Sequence, residues 1–174
     1  MIFRTGLLLW AAFAAAAAVW VFTLREANSS GRMAVARSRV AGGISGGLAL
    51  ALTVPQISVL LWSWLVPWYV PLIALFLILS IIYIDFPGSR GIAGIVLISA
   101  YYFLYYSFAL QMPCAVAGSI FCWCAAIWGI AISARPCWMR DQIQWLARHT
   151  VMRILTAAVL ALSAVYCIYG STVL

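Results

Sequence analysis

Apolar residues run without any charge through two long stretches of the sequence, residues 40–84 and residues 91–134. Each stretch is about twice the ~20 residues that one helix needs to cross a bilayer, so each has to reverse direction and supply two spans. With the apolar segments at either end, the pattern predicts an all-α polytopic integral membrane protein. Its six transmembrane helices are expected at about residues 5–24, 41–62, 67–84, 91–110, 113–134 and 154–172.

Prolines and amphipathic aromatic residues mark the point at which the first neutral stretch reverses. Trp62, Trp64 and Trp68 are of the type that prefers the headgroup level of a bilayer. Pro67 and Pro71 interrupt a continuing helix. The reversal between the second and third spans is therefore predicted here.

Two of the polar connections are predicted to be irregular. Residues 25–31 are rich in Asn, Ser and Gly, which indicates a turn-rich exit from the first span. Between the third and fourth spans, Pro87-Gly88 suits the inner positions of a type II turn, because glycine accepts a positive φ.

One segment, residues 136–150, has the periodicity of a surface helix. At ~100° per residue its apolar side chains share one broad face and its polar side chains the other. The apolar face holds Trp138, Met139, Ile143, Trp145 and Leu146, and the polar face holds Arg140, Asp141, Gln144 and Arg148. This predicts a basic amphipathic helix in the membrane interface, with Trp138, Arg140, Trp145 and Arg148 as surface contacts. The alternative is that the same face packs on a partner subunit.

The composition agrees with a membrane protein and excludes an ordinary soluble domain. The 174 residues are 67% hydrophobic and 7% charged, with a mean hydropathy of +1.11. All ten basic residues are arginines, and they flank apolar spans. Anionic lipid headgroups are therefore their expected partner, and nucleic acid is not.

The distribution of the arginines predicts the orientation. Nine of the ten lie in the connections after the first, third and fifth spans, and only Arg4 lies on the opposite side. The positive-inside rule places those three connections in the cytoplasm and both termini outside, in a plasma or inner membrane. The first apolar segment is expected to be a retained span and not a cleaved signal, because most of the positive charge follows it.

A weak candidate for a solute site combines residues of two spans. Pro55 frees a backbone carbonyl within the second span, and Thr53 and Gln56 add polar groups to the same stretch. Tyr101 and Tyr105 form an i,i+4 pair on the fourth span. Such a broken helix can line a site for a neutral solute, or it can be a kink satisfied by neighbouring hydroxyls.

The glycines that open the second span allow two interpretations. Gly42, Gly43, Gly46 and Gly47 form overlapping small-x-x-x-small patterns, which let helices approach closely. Ser45 lies among them in a G-x-S-G sequence, and His149 supplies the single histidine of the chain. Helix packing is the favoured interpretation, and an intramembrane serine hydrolase is the alternative.

No cofactor, metal site or catalytic centre is predicted. The five cysteines contain no C-x-x-C pair, so they are interpreted as small packing residues. Glu26, Asp85 and Asp141 all lie outside the predicted membrane core, which argues against a proton-coupled pump.

These observations predict a non-catalytic accessory or scaffold subunit, with other membrane proteins or copies of itself as partners. The alternative from a different class is a small transporter or channel for a neutral solute.

Overall fold

The computed structural model describes residues 2–60, 68–83, 87–112 and 115–173 of the chain. Within these ranges all regular structure is helical, as the sequence predicts. The helices are α1 (Ile2–Phe22), α2 (Glu26–Arg37), α3 (Arg39–Leu60), α4 (Tyr69–Tyr83), α5 (Pro87–Ala109), α6 (Ala115–Ala134), α7 (Cys137–Arg148) and α8 (Thr150–Val173).

Four of these helices are long and apolar enough to cross a membrane: Arg4–Phe22 in α1, Pro87–Ala109, Ala115–Ala134 and Thr150–Val173. They correspond to the predicted first, fourth, fifth and sixth spans. The predicted second and third spans correspond to shorter apolar segments, Arg39–Val54 and Tyr69–Tyr83. Among the described residues, four helices are therefore of full spanning length. The predicted reversal at Trp62, Trp64 and Pro67 lies outside the described residues.

The expected turn-rich exit from the first span is wrong, because most of residues 25–31 belong to α2. The backbone N–H of Arg25 donates to Oδ1 of Asn28 at 2.8 Å, which is one half of a capping box. Nδ2 of Asn28 in turn donates to the carbonyl of Thr23 at 3.0 Å. Glu26 in the first turn and Arg37 in the last turn complement the helix dipole.

The expected type II turn at Pro87-Gly88 is also wrong. Pro87 is the first residue of α5, where its missing N–H removes no intrahelical hydrogen bond. No glycine in the described ranges has a positive φ. Gly88 instead allows a close backbone approach, since an added Cβ would collide with the carbonyl oxygens of Val35 and Ala36.

The chain divides into two compact units. The first unit comprises Met1–Ser30, Ser99–Ala126 and Asp141–Leu174, and in it α1 packs against α8. Buried small residues on both helices, such as Ala14, Ala18, Ala157 and Ala164, permit this approach. The core of the first unit consists of Leu7, Ala11, Ala100, Phe103, Met112, Cys122 and Cys167.

The second unit comprises Gly31–Ile98 and Ile127–Arg140, and in it α3 packs against α4. Glycines provide several of its close approaches. An added Cβ at Gly94 would lie 3.3 Å from the Cβ of Ala49, and one at Gly129 would lie 3.1 Å from Cγ of Leu97.

Candidate functional site

The four glycines predicted for helix packing contact neighbouring helices of the same chain. An added Cβ at Gly42 would lie 2.5 Å from the Cβ of Pro87, at the start of α5. At Gly43 it would lie 3.3 Å from Cδ1 of Ile81, and at Gly46 and Gly47 it would lie 3.4 and 3.6 Å from methyl groups of Leu77. Gly42 of α3 therefore faces α5, whereas Gly43, Gly46 and Gly47 face α4.

Ser45 is held by its own helix and by α5. Its Oγ donates to the carbonyl of Ala41 at 2.6 Å. Gly91 lies directly beside this hydroxyl, because an added Cβ at Gly91 would overlap Oγ of Ser45. The close contact of α3 with α5 accounts for serine and glycine at these positions.

His149 belongs to the first unit, whereas Ser45 belongs to the second. Nδ1 of His149 lies 2.9 Å from the carbonyl oxygen of Trp145, and its ring lies 5.2 Å from the Trp145 ring. Both candidate hydrolase residues thus bond to a carbonyl one helical turn earlier in their own segment.

The candidate solute residues are divided between the two units. In the second unit, Oγ1 of Thr53 donates to the carbonyl of Leu50 at 2.6 Å and lies 3.4 Å from the hydroxyl of Tyr69. Pro55 and Gln56 are part of α3, but their side chains lie outside the described residues. The Thr53–Tyr69 pair is a polar contact between α3 and α4 that the sequence did not predict.

The tyrosines of α5 form two stacked pairs in the first unit. The rings of Tyr101 and Tyr105 are 6.2 Å apart and tilted by 15°, and those of Tyr102 and Tyr106 are 6.2 Å apart and tilted by 8°. Tyr101 is 50% exposed and Tyr105 is 61% exposed. The i,i+4 spacing sets both stacks, so they arise from the helix itself.

The surface residues predicted on α7 have mixed environments. Trp138 and Trp145 are exposed, whereas Ile143 and Ala147 of the same helix are buried. Arg148 reaches Glu26 at 3.8 Å, and both side chains are 71% exposed, so this ion pair is weak. Arg140 is half-buried. Cζ of Arg135 lies 5.6 Å from the Trp138 ring centroid, in cation–π geometry.

Arg153 is a structural contact that sequence reasoning missed. Its Nη1 donates to the carbonyl of Leu24 at 2.6 Å and thereby binds the end of α1 to the start of α8. Leu24 itself is fully buried. Nε of Arg153 is also buried and has no hydrogen-bond partner among the described residues. The available signal was an arginine directly before the predicted sixth span.

A cavity within the first unit was also missed. Its volume is about 200 Å³, and its lining is almost entirely apolar. Residues of α1, α5, α6 and α8 surround it: Trp10, Ser99, Ala100, Phe103, Ala117, Gly118, Phe121, Cys122, Ala125, Leu162, Ser163, Tyr166 and Cys167. Cys122 faces this cavity while Cys124 is exposed, as expected for two positions on a helix that point apart.

Comparison with known proteins supplies no further information. No protein-family model, no curated protein and no solved structure matches this chain. Functional inference therefore starts from the residues and their contacts.

Proposed function

We propose that the protein is a non-catalytic scaffold subunit of a larger membrane assembly. The observation that carries this proposal is the bonding of hydroxyl groups within the apolar helices. Six part-buried side chains of this kind donate to carbonyls of their own helix, at distances between 2.6 and 3.3 Å: Ser45, Thr53, Ser107, Ser119, Ser163 and Ser171. Hydroxyls bonded in this way serve packing, whereas a transport path or catalytic centre needs polar groups directed at a substrate.

The proposal includes six spans with a cytoplasmic arginine side. α3 and α4 would be the second and third spans, and the connections holding nine arginines would face the cytoplasm. α7 would lie in the cytoplasmic interface of the membrane. Its residues Trp138, Trp145, Arg140 and Arg148 would then contact anionic headgroups. The exposed tryptophans of α7 support this placement.

α4 is the proposed surface for a partner. None of its residues is buried, although the helix is almost wholly apolar. Its exposed large side chains are Val70, Leu72, Leu75, Phe76, Ile78, Leu79, Ile82 and Tyr83. A transmembrane helix of another protein, or of a second copy, would cover this face.

The proposal is tested by extracting the protein from its native membrane in a mild detergent and identifying stoichiometric partners. A double variant, Phe76→Ala with Leu79→Ala, should reduce the amount of co-purifying partner. Val165→Ala is the matched control, because this side chain is equally exposed but lies on α8. A wild-type protein that purifies alone as a monomer would contradict the scaffold role.

The Thr53–Tyr69 contact favours a second candidate function, a transporter or channel for a neutral solute. Thr53 lies close to Pro55 and Gln56 along α3, and Tyr69 begins α4. In reconstituted vesicles, Gln56→Leu and Thr53→Val should then abolish solute flux while the protein remains folded. Unchanged flux in both variants would exclude this function.

A further inference from the structure

The cavity of the first unit is surrounded by the four full-length membrane helices of the protein. α1 contributes Trp10, and the other lining residues come from α5, α6 and α8. Its volume of about 200 Å³ exceeds that of an engineered apolar cavity of roughly 150 Å³ that binds benzene. The space is therefore large enough for a ring or for several methylene groups.

The cavity lies near the middle of the membrane helices. On α8, Ser163 lines it about ten residues beyond Arg153, which corresponds to ~15 Å at ~1.5 Å per residue. Half the thickness of a bilayer hydrocarbon core is also ~15 Å. With Arg153 at the edge of that core, the cavity is level with the bilayer midplane, where the ends of the acyl chains lie.

The cavity has a buried interior and an exposed rim. Ala100 and Cys167 in the interior are 3% and 2% exposed, while Leu162 is 65% exposed and Phe121 is 37% exposed. The rim therefore lies on the outer surface of α6 and α8. Within a bilayer, lipid tails are the molecules present at this depth.

The lining favours an alkyl chain over a polar ligand. Oγ of Ser163 already donates to the carbonyl of Leu160 at 2.7 Å, and the two thiols of Cys122 and Cys167 are weak hydrogen-bonding groups. The rings of Phe103 and Tyr166, 6.1 Å apart, form part of the wall. The carbonyl groups of a quinone would lose hydrogen bonds here, whereas methylene groups need none.

From this geometry we infer that the cavity binds the end part of an acyl chain from a bilayer phospholipid. The chain enters past Phe121 and Leu162 and contacts Phe103, Cys122 and Cys167. It restores dispersion contacts that the lining atoms lack when no atoms fill the cavity. The inference needs only the four membrane helices and does not depend on the scaffold role.

The experiment uses the full chain in nanodiscs that contain a phosphatidylcholine with a diazirine near the terminal methyl group of one acyl chain. After illumination, mass spectrometry maps the covalent adducts. Adducts are expected on buried Ala100, Cys122 and Cys167 in addition to exposed positions on α6 and α8. Adducts confined to exposed residues such as Ile120, Trp123 and Val165 would overturn the inference.

Two variants and one control distinguish binding in the cavity from contact at the surface. Ala125→Phe should fill the space, and Ala117→Phe should block the rim from an exposed position. Both should lose the adducts on Cys167 and keep those on Ile120. Val165→Phe should change neither, and persistence of the Cys167 adducts in a folded Ala117→Phe variant would also overturn the inference.

A diazirine-labelled free fatty acid in an unlabelled bilayer identifies the source of the chain. Labelling of Cys167 by the phospholipid is expected, with or without labelling by the free acid, because the cavity lining contacts only the alkyl chain. Labelling by the free acid alone would contradict the proposed occupant.

Discussion

At the scale of single residues, Arg153 joins two helices of the first unit. The carbonyl of Leu24 lies beyond the last turn of α1, where helix carbonyls lack intrahelical partners. A guanidinium supplied by α8 satisfies it at 2.6 Å, and the contact is partly buried. The N-terminal and C-terminal helices of the chain are thereby linked through one charged hydrogen bond.

Arg153→Met is expected to lower the free energy of unfolding by about 2 kcal/mol, because a charged hydrogen bond is lost and a carbonyl is left unpaired. Thermal unfolding in detergent measures the change. Arg148→Met is the matched control, since its ion pair with Glu26 is exposed and should contribute no more than about 0.5 kcal/mol. Equal losses in both variants would show that the Leu24 contact has no special role.

Gln111 ends α5 in a conformation that glycine adopts more readily. Its φ is 47°, its N–H donates to the carbonyl of Phe108, and the N–H of Met112 donates to that of Ser107. This is the Schellman pattern, in which the residue after the helix is usually glycine. The pattern directs Met112 into the core, where it is 4% exposed.

Gln111→Gly should therefore raise the free energy of unfolding by about 1 kcal/mol, because the left-handed conformation strains a residue that has a Cβ. Ala109→Gly, two residues earlier within the helix, should have the opposite effect of similar size. Chemical unfolding of the two variants tests the difference in sign. A loss of stability in both would contradict this account of the helix end.

At the scale of helices, α3 and α5 approach most closely where Ser45 meets Gly91. An added Cβ at Gly91 would also lie 2.8 Å from the backbone nitrogen of Gly46, so the contact is limited by main-chain atoms. Gly47 differs, because its added Cβ would lie at an ordinary 3.6 Å from Leu77.

Gly91→Ala is expected to destabilise the second unit by about 1–3 kcal/mol through overpacking. Gly47→Ala should be nearly neutral, which makes it the control for adding a methyl group to a membrane helix. In the double variant with Ser45→Gly, part of the Gly91→Ala loss should be recovered. Limited proteolysis and unfolding in detergent would report the changes, and an unaffected Gly91→Ala protein would show that α3 and α5 can separate freely.

Contacts within one helix could be predicted from the sequence, whereas contacts between helices could not. The tyrosine stacks follow from the spacing of residues 101, 102, 105 and 106 along a helix. Pro87-Gly88 was wrongly predicted to form a turn, because the same dipeptide also suits the start of a helix or a close approach of two backbones. Only the position of Val35 and Ala36 shows which of these applies.

At the scale of the whole molecule, the candidate solute residues belong to different compact units. Thr53 belongs to the second unit, and Tyr101 and Tyr105 belong to the first. Their common site stays a prediction from shared polarity, because polarity in a sequence carries no information about which helices are neighbours. The cavity had no sequence signal for a related reason, since its lining residues are dispersed over four helices and are mostly ordinary apolar types.

The number of spans can be settled by locating Trp68. With six spans, Trp68 lies between the second and third and faces outward, opposite to Gly31, which follows α1. If α3 and α4 did not cross the bilayer, Trp68 and Gly31 would lie on the same side. Trp68 is 61% exposed and tolerates a label.

Single-cysteine variants Trp68→Cys, Gly31→Cys and Thr172→Cys, each in a background without native cysteines, answer this in intact cells. An impermeant maleimide should label positions 68 and 172 directly and position 31 only after permeabilisation. If position 68, like position 31, is labelled only after permeabilisation, the protein has four spans. Labelling of position 31 alone in intact cells would reverse the proposed orientation, and nine arginines would then face outward against the positive-inside rule.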